Sequence, residues 1–70
     1  MTKYEDKPIV IYREYPNSLL PIVGEKHDVI PVQHYRNHLT GIWVITSTVV
    51  SVEENGTDFE TVYSRYVMEK

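Results

Sequence analysis

The last thirty residues, GIWVITSTVVSVEENGTDFETVYSRYVMEK, leave little room for a helix. β-Branched and aromatic side chains fill residues 42–52 and 59–68, and these types suit a pleated, half-buried surface. Between them the polar run EENGTD carries Asn55 and Gly56, which tolerate the positive φ of a tight hairpin turn. The pattern predicts a long β-hairpin with arms at 42–52 and 59–68. On the first arm, strand alternation sends Trp43, Ile45, Ser47, Val49 and Ser51 to one face. It sends Ile42, Val44, Thr46, Thr48, Val50 and Val52 to the other. Both faces begin apolar, so both need cover, one from a curled sheet within the subunit and one from a second subunit. The small hydroxyl residues 46–48 interrupt the apolar run and mark a bend. On the second arm Phe59, Thr61, Tyr63, Arg65 and Val67 alternate with Glu60, Val62, Ser64, Tyr66 and Met68, again without a cleanly polar face.

Upstream, IVIYREY reads as a first strand over residues 9–15, ended by the turn residues PNS. The segment LLPIVG contains Pro21 and closes on Gly24, which suits an edge strand or an extended connection but not a central strand. In VIPVQHY, Pro31 again argues for an edge or a bend. A short helix over 32–39 competes there, since Gly41 can terminate it and Pro31 can sit in its first turn. The β-rich surroundings favour extended structure. Taken together, four or five short strands predict an all-β single domain over 1–70. Its architecture is a small, strongly bent antiparallel sheet or open barrel, with 1–7 as a flexible polar lead-in.

A domain of 70 residues is marginal, because so short a chain buries only about 60% of the surface it exposes when unfolded. No cysteine is present, so neither disulfides nor a cysteine zinc site can reinforce it. Self-association remains as the expected reinforcement, and a homo-oligomer is predicted. No apolar run reaches the roughly 20 residues of a membrane span, and the N-terminal residues do not form a signal peptide, so a cytoplasmic, membrane-free protein is expected. Ten acidic and seven basic residues give a net charge of −3, too acidic for sequence-independent nucleic-acid binding.

The pattern TSTVV, a polar turn, then FETVYSRYV resembles a recurrent arrangement in short phage- and prophage-encoded proteins, with a Thr-Ser-x-Val strand followed by a Thr-x-x-Ser-x-Tyr strand. The resemblance covers roughly residues 41–68. Tyr63 stands where such proteins often carry Asn. It implies a context: an accessory factor in an infected or lysogenic bacterial host that acts by binding a host protein, such as a defence component. It implies no active site.

Candidate functional residues gather in HYRNHLTG. Arg36 can grip a phosphate with its planar fork, Tyr35 can stack on a base, and His34, Asn37 and His38 can supply hydrogen bonds. Tyr12, Arg13 and Tyr15 repeat the Arg-plus-Tyr chemistry on the first strand, and in a symmetric oligomer the two clusters can meet at a subunit junction. A nucleotide-like ligand held there is the alternative to protein binding. Metal binding is not expected: His34 and His38 share a face only on a helix, and Tyr35 stands where a metalloprotease motif places Glu. Catalysis is not expected either. Ser47 and Thr48 lack a nucleophile turn, Asp28 is merely the neighbour of His27, and Glu53, Glu54 and Asp58 have the composition of a solvated turn. The sequence therefore predicts a non-enzymatic binding protein without a cofactor.

Overall fold

The computed structural model describes residues 7–14 and 20–69. Residues 1–6, residues 15–19, which include Tyr15 and the expected PNS turn, and residue 70 lie outside the described residues. Six strands form one curled sheet, a half-barrel: β1 (Ile9–Glu14), β2 (Asp28–Gln33), β3 (Val44–Ile45), β4 (Val49–Val52), β5 (Phe59–Thr61) and β6 (Arg65–Met68). Their order is β3-β2-β1-β6-β5-β4. The all-β, strongly bent architecture agrees with the sequence reading. One pairing departs from it, because β1 and β6 run parallel while every other pair is antiparallel.

The long hairpin is broken in both arms. In the first, β3 pairs with β2 and β4 pairs with β5, so a nine-residue run of chain, 44–52, serves the two opposite edges of the sheet. The same run is also bonded to the segment before β2. Thr46 N donates to His27 O, Val49 N to Glu25 O, and Gly24 N to Val49 O, at 2.8–2.9 Å. These bonds curl the edges towards each other. The expected bend at 46–48 lies between the two strands, and the inward positions change phase across it: Thr46 is buried at its start and Val49 just after it. A slip in the β4–β5 register between Val49 and Ser51 changes the phase again, which lets Val52 pack on the core. The single alternation expected along this arm is therefore replaced by two phase changes.

The second arm folds back on itself. Phe59 pairs with Tyr66 and Glu60 with Arg65, leaving Val62 and Tyr63 at the tip of a second tight hairpin. Thr61 N donates to Ser64 O at 2.9 Å, and Thr61 Oγ1 accepts from both Tyr63 N and Ser64 N at 3.2 Å. The predicted Asn55-Gly56 turn does join β4 to β5. Asn55 Oδ1 accepts from Thr57 N and Asp58 N, and Gly56 takes φ +79°.

Pro31 lies in β2, between β1 and β3 in the sheet, yet β3 reaches only Asp28 and Val29. At Pro31 the outer side of β2 faces loop, and its carbonyl accepts from Gly41 N at 2.7 Å. The β1–β2 register also slips beside it, so the proline occupies a local edge and a bend at once. The competing helix over 32–39 shrinks to a 3-10 turn, Asn37–Leu39, and Gly41 turns the chain at φ +86°.

Val10, Tyr12, Val29, Val49, Phe59 and Tyr66 form the buried core, flanked by Val44, Val52 and Met68. Phe59 stacks on Tyr66 at 4.8 Å between centroids, and Tyr12 meets both rings edge-on. Such aromatic pairs stabilise by about 0.5–1.5 kcal/mol beyond their buried area. Lys7, which the sequence assigns to the loose lead-in, is instead anchored. Its Nζ donates to Thr61 O at 2.8 Å and lies 3.2 Å from Glu60 Oε2, neutralising a carboxylate whose residue is 2% exposed.

Candidate functional site: a cavity between the β5–β6 tip and the loop after β2

The broken arms create a cavity of about 500 Å³. Three segments line it: His34, Tyr35, Arg36 and Leu39 after β2; residues 44–47 of β3 and the following bend; and Thr61, Tyr63, Ser64 and Tyr66 around the β5–β6 turn. Its inner lining is buried: His34, Thr46, Thr61, Ser64 and Tyr66. Its mouth is formed by exposed Tyr35, Arg36, Ile45 and Tyr63.

Backbone geometry fixes the polar groups. Arg36 N donates to His34 Nδ1 at 2.9 Å, so a neutral imidazole carries its proton on Nε2. Burial, with Arg36 and His38 adding repulsion, holds the His34 pKa below its ordinary value and favours that neutral ring. Tyr35 OH and Ser64 Oγ are hydrogen-bonded at 2.8 Å, and the Tyr35 ring lies 4.4 Å from that of His34, tilted by 33°. The Arg36 guanidinium sits 6.0 Å from the Tyr35 ring centre. Tyr35 is thus held at its hydroxyl and against its face. Deeper in, burial raises the Tyr66 phenol pKa, as does the nearby Tyr35, against a hydrogen bond from Ser64. Thr46 Oγ1 accepts from His27 N at 3.0 Å and donates to Ser47 O at 2.7 Å.

Of the residues singled out in the sequence, the cavity unites His34, Tyr35 and Arg36. Asn37 and His38 are exposed on the 3-10 turn beside it and do not line it. Tyr12 is a core residue rather than a recognition residue: it is fully buried, its hydroxyl donates to Thr57 O, and burial drives its pKa far upward. Arg13 points away from the core on the next position of β1 and lies 4.0 Å from Glu69, outside the cavity. Tyr15 falls outside the described residues. His34 and His38 do not share a helical face, since His34 precedes the 3-10 turn and is buried while His38 is exposed.

Tyr63, Ser64 and Tyr66 complete the cavity without any signal in the sequence that marks them as a site. Val62 and Tyr63 occupy a tight turn where Gly, Asn or Asp is usual, so the turn that brings these residues in is itself unannounced. Among the described residues no group of three His, Cys, Asp or Glu side chains is placed to hold a metal ion, and no helix is long and apolar enough to cross a membrane. The chain matches no protein-family model, and comparison with curated proteins and with solved structures finds no significant similarity.

Proposed function

We propose that this is a small non-enzymatic binding protein, a phage-type accessory factor that docks on a host protein, such as a defence component, and inhibits or redirects it. The observation that carries the reading is the β5–β6 tip. Val62 is 58% exposed and Tyr63 68% exposed at the end of a tight hairpin, beside exposed Tyr35 and Ile45 at the mouth of the cavity. An apolar, aromatic projection of this kind has little to gain from water and matches the tyrosine-rich centres of protein interfaces. Among the described residues no carboxylate lines the cavity, which supports binding over catalysis, because none of them gives His34 an acid to orient it and its Nδ1 is already engaged by a backbone amide. The phage-protein resemblance of residues 41–68 supports a partner in the cytoplasm of an infected or lysogenic bacterium.

The test is capture from bacterial lysate by the tagged full chain, compared with Tyr63→Ala and with the double variant Tyr35→Ala/Arg36→Ala. All these side chains are exposed, so circular dichroism should report an unchanged fold. A protein retained by the wild type and lost from both variants is the expected result. Recovery of nothing, or equal recovery by all three, contradicts the proposal.

A further inference from the structure

The cavity differs from the rest of the molecule in charge. The chain has a net charge of −3, yet among the described residues no carboxylate lines this space, and Arg36 is the permanent charge among those that do. Among the described residues no carboxylate forms an ion pair with that guanidinium. Next to it stands His34, whose Nδ1 accepts from Arg36 N and whose Nε2 is thereby left as a donor. Two donors of this kind beside a cavity free of carboxylates favour an anion, and a guanidinium fork favours the planar oxygens of a phosphate or carboxylate.

The walls select what carries the anion. Tyr35 is preorganised by its hydrogen bond with Ser64 and its contact with His34, and Tyr63 offers a second exposed ring at the same mouth. Aromatic faces held in place bind flat rings by stacking with little entropic loss. A space of about 500 Å³ falls within the range of ordinary small-molecule sites and suits one ring system with one sugar-sized spacer. Ser47 adds a hydroxyl to the lining, beside the His34 ring and the Arg36 guanidinium, so a purely apolar ligand would strand polar groups. A long nucleic acid is disfavoured, because a single guanidinium on a net-negative chain cannot compensate a run of phosphates.

We propose that this cavity binds a nucleoside monophosphate, with the phosphate on Arg36 and His34 and the base against Tyr35 and Tyr63. The site needs no protein partner and shares only its rim with the docking function proposed above. The purified chain alone therefore tests it, and failure here leaves protein capture unaffected.

Isothermal titration of the full chain with AMP, GMP, CMP and UMP, and with the 3′,5′-cyclic forms of AMP and GMP, is the direct experiment. Adenosine and inorganic phosphate serve as the two half-ligands. At least one nucleotide should bind with Kd on the order of 10 µM, as the usual per-atom efficiency of such ligands implies. Adenosine and phosphate should each bind at least about tenfold more weakly than the best nucleotide. Arg36→Gln should weaken nucleotide binding by roughly tenfold or more, the loss of a charge-assisted contact, and leave adenosine unaffected. Tyr63→Ala should weaken nucleotide and adenosine alike. No binding at millimolar ligand overturns the proposal. So does phosphate binding as tightly as every nucleotide, which reduces the site to an anion hole, or binding that survives Arg36→Gln, which removes the phosphate from it.

Discussion

Tyr12 shows how burial converts a residue of recognition chemistry into one of structure. On the strand its alternation with Arg13 is all the sequence displays, and both have the makings of a binding pair. The curl of the sheet places Tyr12 inside, against Phe59 and Tyr66, with its hydroxyl satisfied by the Thr57 carbonyl of the β4–β5 turn. Arg13 is left outside near Glu69. Burial, reinforced by Glu14 and Asp58, raises the Tyr12 phenol pKa well above its ordinary 10.0, and burial raises that of Tyr66 as well. A raised folded-state value means that the folded protein holds the phenol proton after the unfolded chain has released it. Its stabilising effect is complete below pH 10 and is lost as the pH rises through 10 towards the folded value. The expected outcome is a urea midpoint that falls between pH 9 and 11. Tyr12→Phe should flatten that fall, while costing about 1 kcal/mol at pH 7 for the donor lost to Thr57. An alkaline profile unchanged by Tyr12→Phe would show that other groups drive it.

At the scale of elements, two threonines make the corners that distinguish this fold from a long hairpin. Thr46 takes the His27 amide and returns its own hydroxyl proton to Ser47 O; Thr61 takes the amides of Tyr63 and Ser64. Each hydroxyl replaces strand pairing at a point where the backbone leaves the ladder, and both side chains are buried. Thr→Val at either corner keeps shape and removes the acceptor, so a loss of about 1–3 kcal/mol is expected in denaturant unfolding, whereas Thr→Ser should retain most of the stability. Equal losses for Val and Ser would mean that the methyl group, rather than the hydroxyl, holds the corner. The same corners explain what the sequence concealed. β1, β2 and the Asn55-Gly56 turn were legible from β-branched content, proline placement and turn chemistry, and the small residues at 46–48 announced the first corner. The second corner carries none of the usual punctuation, only Thr, Val, Tyr and Ser, so residues 59–68 read as one strand. The parallel β1–β6 pairing joins residues more than fifty positions apart and leaves no local pattern at all. Of the cavity only the cluster His34, Tyr35 and Arg36 was accordingly visible, while residues 44–47 and Thr61, Tyr63, Ser64 and Tyr66 came into it through topology.

For the molecule as a whole, compactness and surface chemistry point in different directions. The Cα radius of gyration, 11.1 Å, matches the roughly 11 Å expected of a folded 70-residue domain, so the chain is not loosely collapsed. Yet Ile42, Trp43 and Ile45 are each about half exposed beside one another in the chain, and β3, which carries Ile45, is a terminal strand of only two residues. Short edge strands usually carry charge that discourages pairing with another chain, and this one carries Val and Ile. With a core of six buried apolar side chains among the described residues, the domain would gain by covering this apolar edge with a second copy. Association that binds only the folded state makes the melting temperature depend on protein concentration. Sedimentation equilibrium should therefore find a dimer or larger species at tens of micromolar, and the melting temperature should rise by several degrees over a hundredfold increase in concentration. Ile45→Glu places a charge on the exposed edge strand without removing a core side chain, so it should shift the population to monomer and abolish the concentration dependence. A wild-type chain that stays monomeric at 100 µM would assign the apolar edge to a different partner, in line with docking on a host protein through the neighbouring Tyr63 rim.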